Sequence, residues 1–190
     1  MNDYQNLLRQ YVDFPAEGVI FQDINPIFSN WKSLQNCATD LEIACAEMMP
    51  FCSKILAIEA RGFILGSILA DRLKTGFVPI RKKGKLPPYA SILESSYNSE
   101  YSSNSLTMDT SLIEYNDKII IFDDVLATGG TALAVSNLLK HEIENNRFAP
   151  FDKHNICFAF LLEIEGLKGK KHLCEELNIN KDNVFSLIKV

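Results

Sequence analysis

Apolar positions along this chain recur with two periods, and the alternation between them outlines the fold. Short continuous apolar runs at Ile55–Ile58, Gly76–Ile80, Lys118–Phe122 and Ile156–Leu162 predict strands covered on both faces. Between them, apolar residues at helical spacing predict helices over Gly62–Leu73 and Thr131–Asn145. Upstream, the pattern predicts a helix over Tyr4–Tyr11, an extended stretch over Val19–Phe28 and a helix over Trp31–Met49. A short strand is expected around Thr107, and Val184–Val190 is expected to close the chain as a last strand. Strands separated by helices of this length mean βαβ units, hence an α/β fold with a central, mostly parallel sheet flanked by helices.

Two segments break the alternation. Residues 82–106 exceed twenty residues, contain Pro87, Pro88 and many serines, and are too long for an ordinary connection, which points to a flexible functional lid or an idle loop. The polar stretch from Glu142 to Asn155 reads as a surface excursion between a helix and a strand.

Composition narrows the class. At 190 residues the chain suits one domain, 1–190, and its 47% hydrophobic and 23% charged content is that of an ordinary soluble globular protein. A formal charge of −5 argues against a nucleic-acid or anionic-membrane surface as the main partner. The polar start of the chain lacks a signal-peptide core, and no apolar run is long enough to span a membrane, so a cytoplasmic location is expected. Five cysteines without a Cys-x-x-Cys pair, and three scattered histidines, suggest neither a disulfide framework nor a metal cage.

The chemistry concentrates between Ile119 and Thr131. There a buried strand is followed by Asp123 and Asp124, the small-residue turn Ala127, Thr128, Gly129, Gly130, Thr131, and the start of a helix. Adjacent carboxylates accept hydrogen bonds and suit a vicinal diol. The glycine turn and helix N-terminus supply inward N–H groups for a phosphate. A Walker A loop would need a Lys before the Thr, and a dinucleotide fingerprint needs Gly-x-Gly-x-x-Gly; neither pattern is present in this segment. A phosphorylated sugar is the ligand that this order of groups fits.

Two further segments add to it. Glu59, Ala60, Arg61, Gly62 and Phe63 form the preceding strand-to-helix turn, where Arg61 can grip a phosphate in bidentate fashion. The basic run Arg81, Lys82, Lys83, Lys85 can neutralise a pyrophosphate that an acidic protein would otherwise repel. The extended stretch Asp13–Ile24, with Ile20, Phe21 and Gln22, offers an apolar face and free backbone groups for a nucleobase. Composition alone favours a strand packed on the core there.

The segment Asp123–Thr131 resembles the phosphoribosyl-pyrophosphate motif of the type I phosphoribosyltransferases. With Phe14-Pro15-x-x-Gly18-Val19, Glu59–Phe63, Arg81–Pro87, Ser96-Tyr97-x-x-Glu100-Tyr101, Glu163 and Leu167–Gly169 in the same order, the chain resembles the adenine phosphoribosyltransferases of that family from Asp13 to about Leu173. The resemblance implies the type I phosphoribosyltransferase fold with a small N-terminal hood, residues 1–30, over the base, and a flexible catalytic lid, residues 82–106. It implies transfer of the phosphoribosyl group from phosphoribosyl pyrophosphate to adenine, giving AMP and pyrophosphate, with Mg²⁺ bound mainly through the pyrophosphate.

The same resemblance assigns catalysis to Glu100, Asp123, Asp124 and Arg61. It assigns substrate contacts to Ile20, Phe21, Gln22, Arg61, Arg81, Lys82, Lys85, Tyr101, Asp123, Asp124 and residues 127–131, and it implies a homodimer. Three residues depart from the family pattern: Gln22 replaces Arg, Pro88 replaces Gly and Ser102 replaces Gly. They bear on base affinity and lid movement. The alternatives are the same reaction on another purine base, or a regulator that keeps the fold as a sensor. Such regulators carry an added DNA-binding domain and basic surface, for which this chain shows no sequence.

Overall fold

Burial of alternate faces explains how the strands assemble. In the computed structural model, which describes residues 4–88, 91–98, 103–151 and 154–190, a seven-stranded sheet forms the centre. Its strands are β3 (Lys54–Ile58), β4 (Gly76–Lys82), β5 (Ile92–Asn98), β6 (Ser103–Asp109), β7 (Ile119–Leu126), β8 (Ile156–Glu163) and β9 (Val184–Lys189). The spatial order is β5-β6-β4-β3-β7-β8-β9. The pairs from β4 across to β9 are parallel, and β6 and β5 add an antiparallel edge. Ile119 and Ile121 face one core cluster, with Val135, Leu138 and Leu173, while Ile120 and Phe122 face the other, with Leu41, Leu65 and Leu69. Both faces are therefore covered, which is why the run in β7 is continuous rather than alternating.

The helices are α1 (Asn25–Ser29), α2 (Trp31–Met48), α3 (Gly62–Leu73), α4 (Gly130–Glu144) and α5 (Gly169–Leu177). Helices α2 and α3 cover one face of the sheet, and α4 and α5 the other. None of the helices among the described residues is long and apolar enough to cross a membrane.

The N-terminus differs from the expected helix over Tyr4–Tyr11. It forms a single 3₁₀ turn, Gln5–Leu7, and then strand β1 (Arg9–Val12), antiparallel to β2 (Ile20–Asp23). Tertiary pairing overrides the local pattern: the Arg9 guanidinium donates from two nitrogens to Asp23, at 3.0 and 2.6 Å, and Arg9 pairs in register with Asp23. The expected extended stretch to Phe28 stops at Asp23. Its Oδ1 accepts the Asn25 N–H at 2.9 Å and turns the chain into α1, with Pro26 in the first turn.

The described part of residues 82–106 is less irregular than expected; residues 89–90 and 99–102 of that segment lie outside the described residues. Strands β5 and β6 pair over seven residues, and Leu106 and Met108 point into the core with the period of a strand. Polar residues on the alternate positions, Ser105, Thr107 and Asp109, mask that period in the sequence. The sequence pattern announces helix α5 only weakly: its buried apolar side chains are Leu173, Cys174 and Leu177, and Asn178 ends it in the left-handed conformation, φ 51°. Strand β7 runs past Phe122 to Leu126, so the two acids lie within the strand rather than beyond it.

Candidate active site

The connections diverge at β3 and β7. From β3 the chain goes outward to β4, whereas β8 and β9 extend the sheet beyond β7 on the other side. A crevice opens outside the carboxyl ends of such neighbouring strands, where α/β sheets bind ligands. The Glu59–Gly62 turn follows β3, and the Asp123–Asp124 pair lies in the second half of β7, at that place.

Both aspartates are nearly buried, each 8% exposed. Asp123 Oδ1 accepts the Asp124 backbone N–H at 2.9 Å. Arg61 Nε stands 2.6 Å from Asp124 Oδ2. The approach is off-line, so this oxygen carries an ion pair but accepts no hydrogen bond among the described residues. Burial raises the Asp123 carboxyl well above the ordinary carboxylate range, and the negative charge of Asp124 adds to the effect against the opposing pull of Arg61. Gly62 makes this closeness possible: a Cβ there would lie 3.1 Å from Asp123 Oδ1 and 3.3 Å from Phe122 O. One of the two acids thus already faces a guanidinium.

Beyond β7, the turn Ala127–Gly129 leads into α4. Gly129 adopts φ +88° at the helix N-cap, and no side chain caps the helix, so its first-turn N–H groups are left for another acceptor. Gly130 and Thr131 are the first two helical residues. The turn rests on α5: a Cβ on Gly129 would lie 3.0 Å from Gly169 O, and one on Gly169 only 2.2 Å from Ala127 O. In the sequence Gly169 stands only as the end of the Leu167–Gly169 motif, with no role attached to it. The contact with Ala127 depends on folding and has no local signature.

The N-terminal strand pair reaches the same crevice. Arg61 lies 5.9 Å from the Phe21 ring centre, and Phe14 packs edge-on to Phe21 at 5.2 Å. Ile20 is exposed, whereas Gln22 is buried and its Oε1 accepts from Gln10 Nε2 at 3.3 Å. Asp23 is held below the usual range, first by the Asn25 N–H and then, against burial, by Arg9 and Arg61.

The basic run is spread along the end of β4. Arg81 is partly buried and bonded through Nε to Glu59 at 3.0 Å, while Lys82, Lys83 and Lys85 are exposed and Lys83 pairs with Glu94 at 2.9 Å. Arg61, Asp123, Asp124 and Phe21 are therefore brought together, with residues 127–131 following at the end of β7; Arg81 stands one strand away. Glu100 and Tyr101 lie outside the described residues. No group of three His, Cys, Asp or Glu side chains able to hold a metal occurs among the described residues. The paired aspartates offer hard oxygen donors but no full cage, which fits a divalent ion brought in mainly on substrate oxygens.

This sheet, with its acid pair, uncapped glycine turn and basic strand end, defines a phosphoribosyltransferase: residues 53–143 match the phosphoribosyl transferase domain family. The adenine phosphoribosyltransferase of Thermosipho melanesiensis is 38% identical over 186 residues, covering 98% of this chain and 95% of the relative. Among solved structures, the Giardia lamblia enzyme complexed with 9-deazaadenine shares 32% identity at a TM-score of 0.85, covering 99% of this chain and 96% of that one. The Saccharomyces cerevisiae adenine phosphoribosyltransferase, complexed with an imino-altritol bisphosphate and adenine, shares 34% at 0.79, covering 97% of each chain. The chain belongs to the adenine phosphoribosyltransferases.

Proposed function

We propose that this protein transfers the 5-phosphoribosyl group from phosphoribosyl pyrophosphate to adenine, releasing AMP and pyrophosphate, as a step of purine salvage. The observation that carries the reading is the junction of Asp123, Asp124 and Arg61 with an uncapped glycine turn at the end of β7. Membership of the family adds the identity of the base.

In this account the first-turn N–H groups of α4 and the Thr131 hydroxyl hold the 5-phosphate, with Ala127, Thr128, Gly129 and Gly130 shaping the turn. Asp123 and Asp124 accept from the ribose hydroxyls. Breaking the bond to pyrophosphate leaves positive charge on the sugar, and the nearly buried acid pair supplies the compensating field where water is largely excluded. Arg61, Arg81, Lys82 and Lys85 face the pyrophosphate, and Mg²⁺ bound on that group supplies further neutralisation of the leaving charge.

Ile20, Phe21 and Gln22 form the base site, with recognition resting on backbone groups and stacking on Phe21. Residues 1–30 then act as a hood, and residues 82–106 as a lid that excludes water and carries Glu100 and Tyr101 to the base. Residues 1–190 form one such domain, acting in the cytoplasm as a homodimer in which the segment near Arg81–Lys85 approaches the partner copy's site. Light scattering checks the dimer, since a fully active monomer at assay concentration contradicts the shared site. For the reaction itself, the protein is mixed with phosphoribosyl pyrophosphate, Mg²⁺ and adenine. AMP and pyrophosphate in equal amounts are expected, and no AMP would overturn the reading.

A further inference from the structure

Glu59 stands at the end of β3 but has no part in the chemistry described so far. Ile58 pairs with Ile80 in register, so the next residues, Glu59 and Arg81, leave two adjacent parallel strands side by side. The Glu59 N–H donates to Ile80 O at 2.9 Å. Its side chain, 16% exposed, turns back along the strand end, and a single oxygen, Oε2, accepts twice: from Arg81 Nε at 3.0 Å and from the Lys82 backbone N–H at 2.9 Å. Burial raises the Glu59 carboxyl, but the Lys82 N–H and Arg81 outweigh it and hold the group below its ordinary range.

The arrangement constrains Arg81 in three ways. Its Nε is held by Glu59, its guanidinium carbon lies 5.9 Å from the Phe63 ring centre, and its main chain is fixed by the Lys82 bond to the same carboxylate. A guanidinium has five donors in a rigid fork, and only the Nε edge is used here. Among the described residues no acceptor takes the two terminal nitrogens. Those are the two that grip an oxyanion in bidentate fashion. Arg61 is also held at Nε, there by an ion pair with Asp124 rather than by a hydrogen bond. A guanidinium anchored in this way has lost most of its rotamer freedom before ligand arrives, so less entropy opposes binding.

We propose that Glu59 is a positioning residue that aims Arg81 and the Lys82 main chain at the pyrophosphate group, without touching substrate itself. This rests on the reading of Arg81 as part of the pyrophosphate grip. A carboxylate that merely joined β3 to β4 would, when altered, weaken every ligand together with the fold. A positioning carboxylate weakens only those ligands that contain pyrophosphate.

The test is a set of kinetic and binding measurements on Glu59→Gln, Arg81→Ala and the double variant. Glu59→Gln keeps the size and one neutral acceptor but loses the charge. It is expected to raise the KM for phosphoribosyl pyrophosphate, and for pyrophosphate in the reverse reaction, by about tenfold, the scale of a small misalignment of a binding group. AMP affinity, read by calorimetry, should stay within about twofold, because AMP lacks the pyrophosphate. The double variant should fall well short of the product of the two single effects, the non-additivity of residues acting largely as one unit. Glu59→Asp, which withdraws the charge by one methylene, should give the same split to a smaller degree and serves if the Gln variant is unstable. Unchanged constants in Arg81→Ala would overturn the pyrophosphate grip itself. If Arg81→Ala raises both constants while the Glu59 variants do not, or if they weaken AMP equally, or if the double variant is additive, the positioning role is wrong.

Discussion

Replacing Gly169 by Ala tests how the phosphate turn is supported. The new methyl carbon would lie 2.2 Å from Ala127 O and 3.0 Å from Leu126 Cδ1. Carbon and carbonyl oxygen settle at about 3.3 Å, so the two backbones must part by about 1 Å. Neither can rotate away, since both contacting groups of the closer pair belong to the main chain. Overpacking of this kind destabilises by about 1–3 kcal/mol, which for a chain of this size lowers the melting temperature by about 2–4 °C for each kcal/mol.

The larger effect should be functional. Ala127 begins the turn that leads to Gly130 and Thr131, and displacement of a binding loop by about 1 Å can lower kcat/KM by about a hundredfold. AMP calorimetry, steady-state kinetics and thermal melts on Gly169→Ala measure the three effects together. Gly166→Ala is the control, because a Cβ there meets nothing within 4 Å; it should be silent. A Gly169→Ala variant that melts earlier but keeps parental AMP affinity and turnover would show that α5 does not set the turn, and the reasoning would fail.

Asp124→Asn should keep the fold and lower turnover strongly, by about a hundredfold, because the diol and the sugar cation lose a charged partner; wild-type turnover would remove the ribose assignment. Asp123→Asn should separate stability from activity. Its raised folded-state pKa means that Asp123 contributes stability fully below the ordinary carboxylate value near 4, a contribution lost as pH rises through the folded value. The Asn variant cannot ionise, so in melts across pH it should match the parent in acid, gain on it as pH rises from about 4, and hold a constant lead above the folded value. A lead that does not change with pH would contradict this. Glu100→Ala should reduce kcat more than it raises the KM for phosphoribosyl pyrophosphate, the pattern of a group acting in the transition state; a pure binding defect would argue against its catalytic role.

Much of the sheet was legible because β3, β7 and β8 are buried on both faces and so read as unbroken apolar runs. The acid pair and glycine turn were legible for a related reason: their residue types are set by chemistry in a short continuous segment. Elements whose identity depends on a distant partner were less visible. Strand β1 exists through its pairing with β2 and the Arg9–Asp23 bond, and the β5–β6 hairpin hides its core residues Leu106 and Met108 between polar ones. Within the site, the Arg61–Asp124 ion pair, the Glu59–Arg81 tether and the Gly129–Gly169 contact join residues 63, 22 and 40 positions apart, which no local spacing announces.

A competition among bases tests the central claim most directly. With phosphoribosyl pyrophosphate and Mg²⁺ fixed, the catalytic efficiencies for adenine, hypoxanthine and guanine are measured on the unmodified protein. A 6-oxopurine replaces the exocyclic donor of adenine by an acceptor and protonates the adjacent ring nitrogen, so fixed backbone groups in the base site would face like partners. Adenine is expected to lead by at least about a thousandfold, the scale on which polar sites reject mismatched ligands. Comparable efficiency with hypoxanthine or guanine would contradict the account.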